Sequence, residues 1–123
     1  MKSNFLGLRS LIYPAKNLET SKTWWTNVLG TEPYFDSDGY VGFNVGGYEL
    51  GLNSWSSELH GPITYIGVVD IEAAITELLS NGATQLSGPT DVGEGILLAD
   101  FQSPQGEVFG VIQNPHFKLS QNG

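Results

Sequence analysis

The clearest pattern in the chain is a change of period inside residues 63–84, ITYIGVVDIEAAITELLSNGAT. Ile63 to Val68 is a run of β-branched and aromatic residues, the composition of a half-buried strand. From Asp70 the spacing becomes helical. Ile71, Ala74, Ile75, Leu78 and Leu79 recur at intervals of three and four, while Glu72, Thr76, Glu77 and Ser80 take the other side. Asp70 is placed as the helix N-cap and Gly82 as its left-handed stop. A strand therefore feeds an amphipathic helix that must lie on a sheet.

The first half repeats this order. Leu6 to Tyr13 reads as a strand closed by Pro14. Asn17 caps a helix with an apolar stripe of Leu18, Trp25, Val28 and Leu29, which Gly30 ends, with Trp24 at the stripe's edge. Thr31 to Phe35 is predicted as a short strand and Asp36 to Gly39 as a turn. Tyr40 to Val45 and Tyr48 to Asn53 form a hairpin about Gly46-Gly47. In the second half, Ala83 to Ser87 is a short strand and Gly88 to Glu94 a loop. Gly95 to Phe101 and Val108 to Gln113 are strands joined by Ser103 to Gly106. The caps Asn17 and Asp70 stand 53 residues apart, and the stops Gly30 and Gly82 stand 52 apart. A near-constant offset marks a duplicated unit. We expect one α+β domain: module one at about residues 5–53, a polar connector 54–62, module two at about 63–113 and a tail 114–123 in which Phe117 is the anchor.

Composition narrows the partners. With 123 residues, 40% hydrophobic and 15% charged, the chain can bury a core without staples. It has no cysteine, which removes disulfides, thiolate metal sites and a cysteine nucleophile, and favours a cytoplasmic protein. A net charge of −8 with five basic residues disfavours nucleic acid and anionic membranes, leaving a neutral or cationic small molecule. No apolar run reaches membrane-span length, and the N-terminal MKSNFLGLRS lacks a signal-peptide core.

Five stretches carry a resemblance: Asn17 to Ser21, Trp24 to Gly30, the hairpin Val45 to Leu52, Val69 to Ala74, and Ser103 to Gly106. Together they resemble the vicinal-oxygen-chelate superfamily, which covers glyoxalase I, bleomycin-resistance proteins, fosfomycin-resistance enzymes and extradiol dioxygenases. The likeness runs over about residues 8–113. It implies paired βαβββ modules whose mixed sheets curl around a shared cavity with the helices outside, in a homodimer. It also implies a divalent metal held by His, Glu or Gln on the first and last strands of each module. Carried onto this chain, those positions are Ser10, Gly51, Ile63 and Gly110, which offer neither imidazole nor carboxylate. A shift of one or two residues recovers only Glu49. No metal and no cofactor are therefore expected, and the two glycines should leave room in the cavity.

Other chemistries find little support. His60 and His116 fall in the connector and the tail. Gly-x-Ser-x-Gly is absent, Gly93-Glu94-Gly95 lacks the rest of a dinucleotide fingerprint, and Asp36 to Gly39 has no acid at the twelfth position of a calcium loop, Gly47. What remains is a cavity wall. Leu8, Ser10, Ile12, Tyr40, Asn44, Glu49, Gly51 and Asn53 would come from one module, and Ile63, Tyr65, Val108, Gly110 and Ile112 from the other. Trp55 would stand at the rim or the dimer contact. Two readings stay open. One is a metal-free binding protein resembling bleomycin-resistance proteins, which sequesters a small amphipathic or cationic ligand with Ser10, Tyr40, Asn44, Glu49, Gly51, Asn53, Trp55, Ile63, Tyr65 and Gly110 around it. The other is a lyase, isomerase or dioxygenase with Glu49 as base or a metal site assembled across a dimer. Service as an association module is a third.

Overall fold

The structure, a computed structural model, describes residues 4–54 and 61–118. It is a mixed α+β fold in which the order β-α-β-β-β occurs twice. The first set is β1 (Phe5–Pro14), α1 (Leu18–Leu29), β2 (Phe35–Asp36), β3 (Tyr40–Val45) and β4 (Tyr48–Asn53). The second is β5 (Ile63–Val68), α2 (Ile71–Ser80), β6 (Thr84–Asp91), β7 (Leu97–Gln102) and β8 (Val108–Gln113). Two compact units result. One holds Ser10–Ile63, the other Thr64–Phe117 with the residues of β1 through Arg9.

In the first unit the strand order is β2-β3-β4-β1. β1 and β4 run parallel, which requires a crossover, and α1 provides it. Asn17 caps α1 by accepting from the Thr20 N–H at 3.1 Å, and Gly30 ends it in the left-handed region at φ 72°. The helix packs through Leu18 onto Ala15, Val41, Phe43 and Leu52, of which Val41 and Phe43 are wholly buried. Trp25 stacks on Tyr13 at 6.0 Å, and Lys22 bonds Asp36 at 2.9 Å, tying α1 to β2.

In the second unit the order is β5-β8-β7-β6, with the N-terminal residues of β1 beside β5. Asp70 caps α2 through the Glu72 and Ala73 N–H groups. Ile71, Ala74 and Ile75 press on Val68, Ala99, Phe101 and Val111. Asn4 also fixes the entry to α2, its Oδ1 accepting from the Val69 and Asp70 N–H groups at 2.9 Å each.

The structure corrects several expectations. The short strand placed at Thr31 to Phe35 is only Phe35–Asp36, since Pro33 has no N–H to give a ladder, and Asp36 is strand rather than turn. The stretch from Gly88, expected as a loop, continues β6 to Asp91, with register shifts on either side of Ser87. Proline is tolerated there because β6 is an edge strand. Val28 and Leu79, counted into the apolar stripes, are 56% and 47% exposed, while their neighbours Leu29 and Leu78 in the same last turns pack against the cores, so each stripe is narrower than its spacing suggested. Trp55 and His60 lie outside the described residues.

Candidate functional site

Strand alternation gives each unit one face against its helix and one face free of it. In the first unit Val41, Phe43 and Leu52 point to α1. The residues between them form the helix-free face, and register sets the neighbours: Ser10 beside Glu49, Ile12 beside Gly51, Asn44 opposite Glu49, Gly42 opposite Gly51, and Tyr40 opposite Asn53. Ser10, Tyr40, Asn44, Glu49, Gly51 and Asn53 thus share one face, as their spacing predicted.

Its interior differs from the expected open cavity. A Cβ on Gly51 would stand 2.7 Å from Cζ of Tyr40 and 3.1 Å from Cγ1 of Ile12. The Tyr40 ring therefore occupies the space that the glycine frees. Glu49 folds diagonally across Gly42, where a Cβ would stand 2.5 Å from its Oε2, and it accepts a 2.6 Å hydrogen bond from the Tyr34 hydroxyl. Tyr34 is held there because its N–H donates to the Gly42 carbonyl at 2.9 Å. Burial of the phenol end, then the hydrogen bond to Glu49 and the charge of that carboxylate, push the Tyr34 pKa well above the ordinary tyrosine value. Asn44 is engaged elsewhere, its Oδ1 accepting from the Gly47 N–H in the hairpin at 2.9 Å.

The second unit repeats the device. Tyr65 pairs with Gly110, and Gly110 with Asp100, so the three lie side by side on the helix-free face. A Cβ on Gly110 would stand 2.5 Å from Cδ2 of the Tyr65 ring, and the Tyr65 hydroxyl donates to Asp100 at 2.7 Å. Ile63 opens β5 and is half-buried. The expectation that Gly51 and Gly110 leave room is thus overturned at both positions, because a tyrosine from a neighbouring strand fills each one.

Four participants were not singled out from sequence. Tyr34 and Gly42 carried no signal, since their contact with Glu49 depends on the late start of β2. Asp100 was legible, because a hairpin about Ser103 to Gly106 that sets Gln102 against Val108 necessarily sets Asp100 against Gly110. Arg9 lies over Gly67 in the second unit, on the side of that strand away from Val68.

The metal that the resemblance implies finds no fitting donor set. Ser10 is buried, Gly51 and Gly110 are roofed by phenol rings, and Ile63 has no donor atom. Among the described residues no group of three or more His, Cys, Asp or Glu could hold a metal ion.

Comparison with known proteins agrees with the fold. Search of curated protein sequences finds no match. Among solved structures, the Mn(II)-bound glyoxalase from Novosphingobium aromaticivorans is similar with TM-score 0.74 and 17% identity, covering 98% of this chain and 42% of that one. A variant of the methylmalonyl-CoA epimerase from Streptomyces coelicolor, in complex with 2-nitronate-propionyl-CoA, has TM-score 0.75 and 11% identity over 90% of this chain and 99% of that one. A superfamily member from Vibrio splendidus 12B01 has TM-score 0.67 and 18% identity over 87% and 99%. At such identities the likeness concerns the fold alone. The sequence profile of one family matches residues 7–111, most of the chain. The chain therefore belongs to the Glyoxalase/Bleomycin resistance protein/Dioxygenase superfamily.

Proposed function

We propose that this chain is a metal-free binding protein that sequesters a small cationic or amphipathic molecule on the helix-free face of its first unit. The observation that carries the reading is the Tyr34–Glu49 pair over Gly42, set beside positions where metal-dependent relatives would need donors and this chain has Ser10 and Gly51. Glu49 supplies the negative charge, Tyr34 fixes its orientation, and Tyr40 and Ile12 give an apolar, aromatic floor. The acidity of the chain is compatible with such a guest.

Titration of the protein with a panel of cationic aromatic compounds tests the reading. Saturable binding is expected, and Glu49→Gln should weaken it by roughly tenfold or more, as for loss of a charge-assisted hydrogen bond. No saturable binding across the panel, or equal binding by the variant, would contradict it. A second reading draws on the same contact: a carboxylate that accepts from a tyrosine hydroxyl is placed to receive and return a proton, as an isomerase or lyase requires. The dimeric state also belongs to this proposal, and light scattering should return twice the mass of one chain, whereas a monomer would count against it.

Tyr34 offers a separate check. Its pKa is raised, so the contribution of its neutral form to stability is complete below the unfolded tyrosine value near 10 and is lost only as pH climbs beyond it. Tyr34 is 62% exposed, so solvent screens much of this effect. Ultraviolet titration should show a late-ionising tyrosine component, and Tyr34→Phe should reduce it by one tyrosine. An unchanged profile in the variant would refute the assignment.

A further inference from the structure

We infer that Arg9 forms an anion-recognition site on the helix-free face of the second unit, fitted to a small aryl or acyl carboxylate. This lies beyond the Glu49 reading, since it concerns the other unit and the opposite charge. The Arg9 side chain lies across Gly67, whose added Cβ would stand 2.5 Å from Nε, 2.8 Å from Cζ and 2.9 Å from Cγ. No positive φ is needed at Gly67, so the glycine serves there to admit the arginine stem. The Phe117 ring also lies against the guanidinium, with Cζ 3.9 Å from the ring centroid. The group is thus held by contacts with both the Gly67 backbone and an aromatic ring.

Its hydrogen-bonding capacity is largely unspent. Nη1 donates to the Leu8 carbonyl at 3.2 Å. Among the described residues Lys22 pairs with Glu19 and Asp36, and no acidic side chain is paired with Arg9. The chain has 13 acidic side chains and only 5 Lys and Arg, and among the described residues the Arg9 charge is nonetheless not spent on an ion pair. The one acid whose register places it beside Tyr65 and Gly110 on this face, Asp100, accepts from the Tyr65 hydroxyl.

The neighbouring positions set the ligand's body. Tyr65 is two residues from Gly67 on the same side of β5, and Ile112 pairs with Gly67 and Leu98 with Ile112. A guanidinium beside a tyrosine ring and two aliphatic side chains matches a molecule with one carboxylate and an apolar body. Arginine's planar fork binds a carboxylate through two parallel bonds, and a pre-positioned fork loses little freedom on binding.

Titration of the isotopically labelled full chain with benzoate, followed by NMR, tests this. Saturable shifts are expected at the Gly67 amide and the Phe117 ring, with benzyl alcohol at least tenfold weaker. Arg9→Gln should weaken benzoate by about tenfold or more while leaving the dispersed amide spectrum in place, Arg9→Lys should weaken it less, and Glu49→Gln should leave it unchanged. Absence of saturation, equal affinity for benzyl alcohol, or undiminished binding by Arg9→Gln would overturn the site. Because the readout uses an anion and is blind to Glu49, failure of the cationic-ligand reading leaves it standing, and the reverse also holds.

Discussion

Gly110→Val is expected to destabilise the protein by about 2–3 kcal/mol, although it adds only apolar atoms. The position is already filled. A Cβ there would fall within 2.5 Å of the Tyr65 ring carbon Cδ2, and the ring has little freedom to leave, being 7% exposed with its hydroxyl bonded to Asp100 at 2.7 Å. Relief requires either breaking that bond or parting β5 from β8. Thermal unfolding should fall by roughly 3–5 °C per kcal/mol in a chain of this length. A second variant isolates the cause: Tyr65→Ala together with Gly110→Val should recover part of the loss, because the valine would enter the space vacated by the ring. An unaltered melting temperature in the single variant, or no recovery in the double, would show that Tyr65 does not occupy this place.

Phe101→Ala should cost more, about 3–5 kcal/mol, and Phe43→Ala a similar amount. Each is fully buried at the centre of its own unit's core, Phe101 among Val68, Ile75 and Val111, and Phe43 among Leu18, Val41 and Leu52. Removing either ring leaves a cavity that the helix above can close only in part. A domain stabilised by about 5–15 kcal/mol would lose a large fraction of that margin. By contrast Leu79→Ala and Val28→Ala, at 47% and 56% exposure, should change stability by about 0.5 kcal/mol or less. Urea denaturation of the four variants checks the contrast, and a loss at Leu79 equal to that at Phe101 would mean the core has been misplaced.

That contrast also shows what the sequence reveals and what it hides. Period identifies both helices and their caps, and Asp70 and Asn17 do bond the N–H groups their positions suggested. Period does not say how wide a stripe the sheet covers, so Val28 and Leu79 share a helical stripe with buried residues and yet face solvent, while Leu29 and Leu78 beside them pack on the cores. Alternation places Ser10, Tyr40, Glu49, Gly51 and Asn53 on one face, because a strand has only two. It does not show that Tyr40 leans diagonally over Gly51 or that Glu49 crosses Gly42, since those depend on side-chain torsions and on which neighbour is smallest. Arg9 escaped for a related reason. Phe5 packs with the α2 core and Arg9, four residues on, lies over Gly67, a break in alternation that coincides with Gly7 at φ 135°. A glycine inside a strand of this length marks such a break, though not its direction.

Two tyrosine-roofed glycines, a serine and an isoleucine occupy the positions at which the resemblance implies metal ligands. Elemental analysis of the purified protein, incubated with manganese, nickel, zinc and ferrous iron and then desalted, measures this directly. The account predicts metal far below one equivalent per chain for every ion. Retention of about one equivalent of any of them through desalting would contradict it.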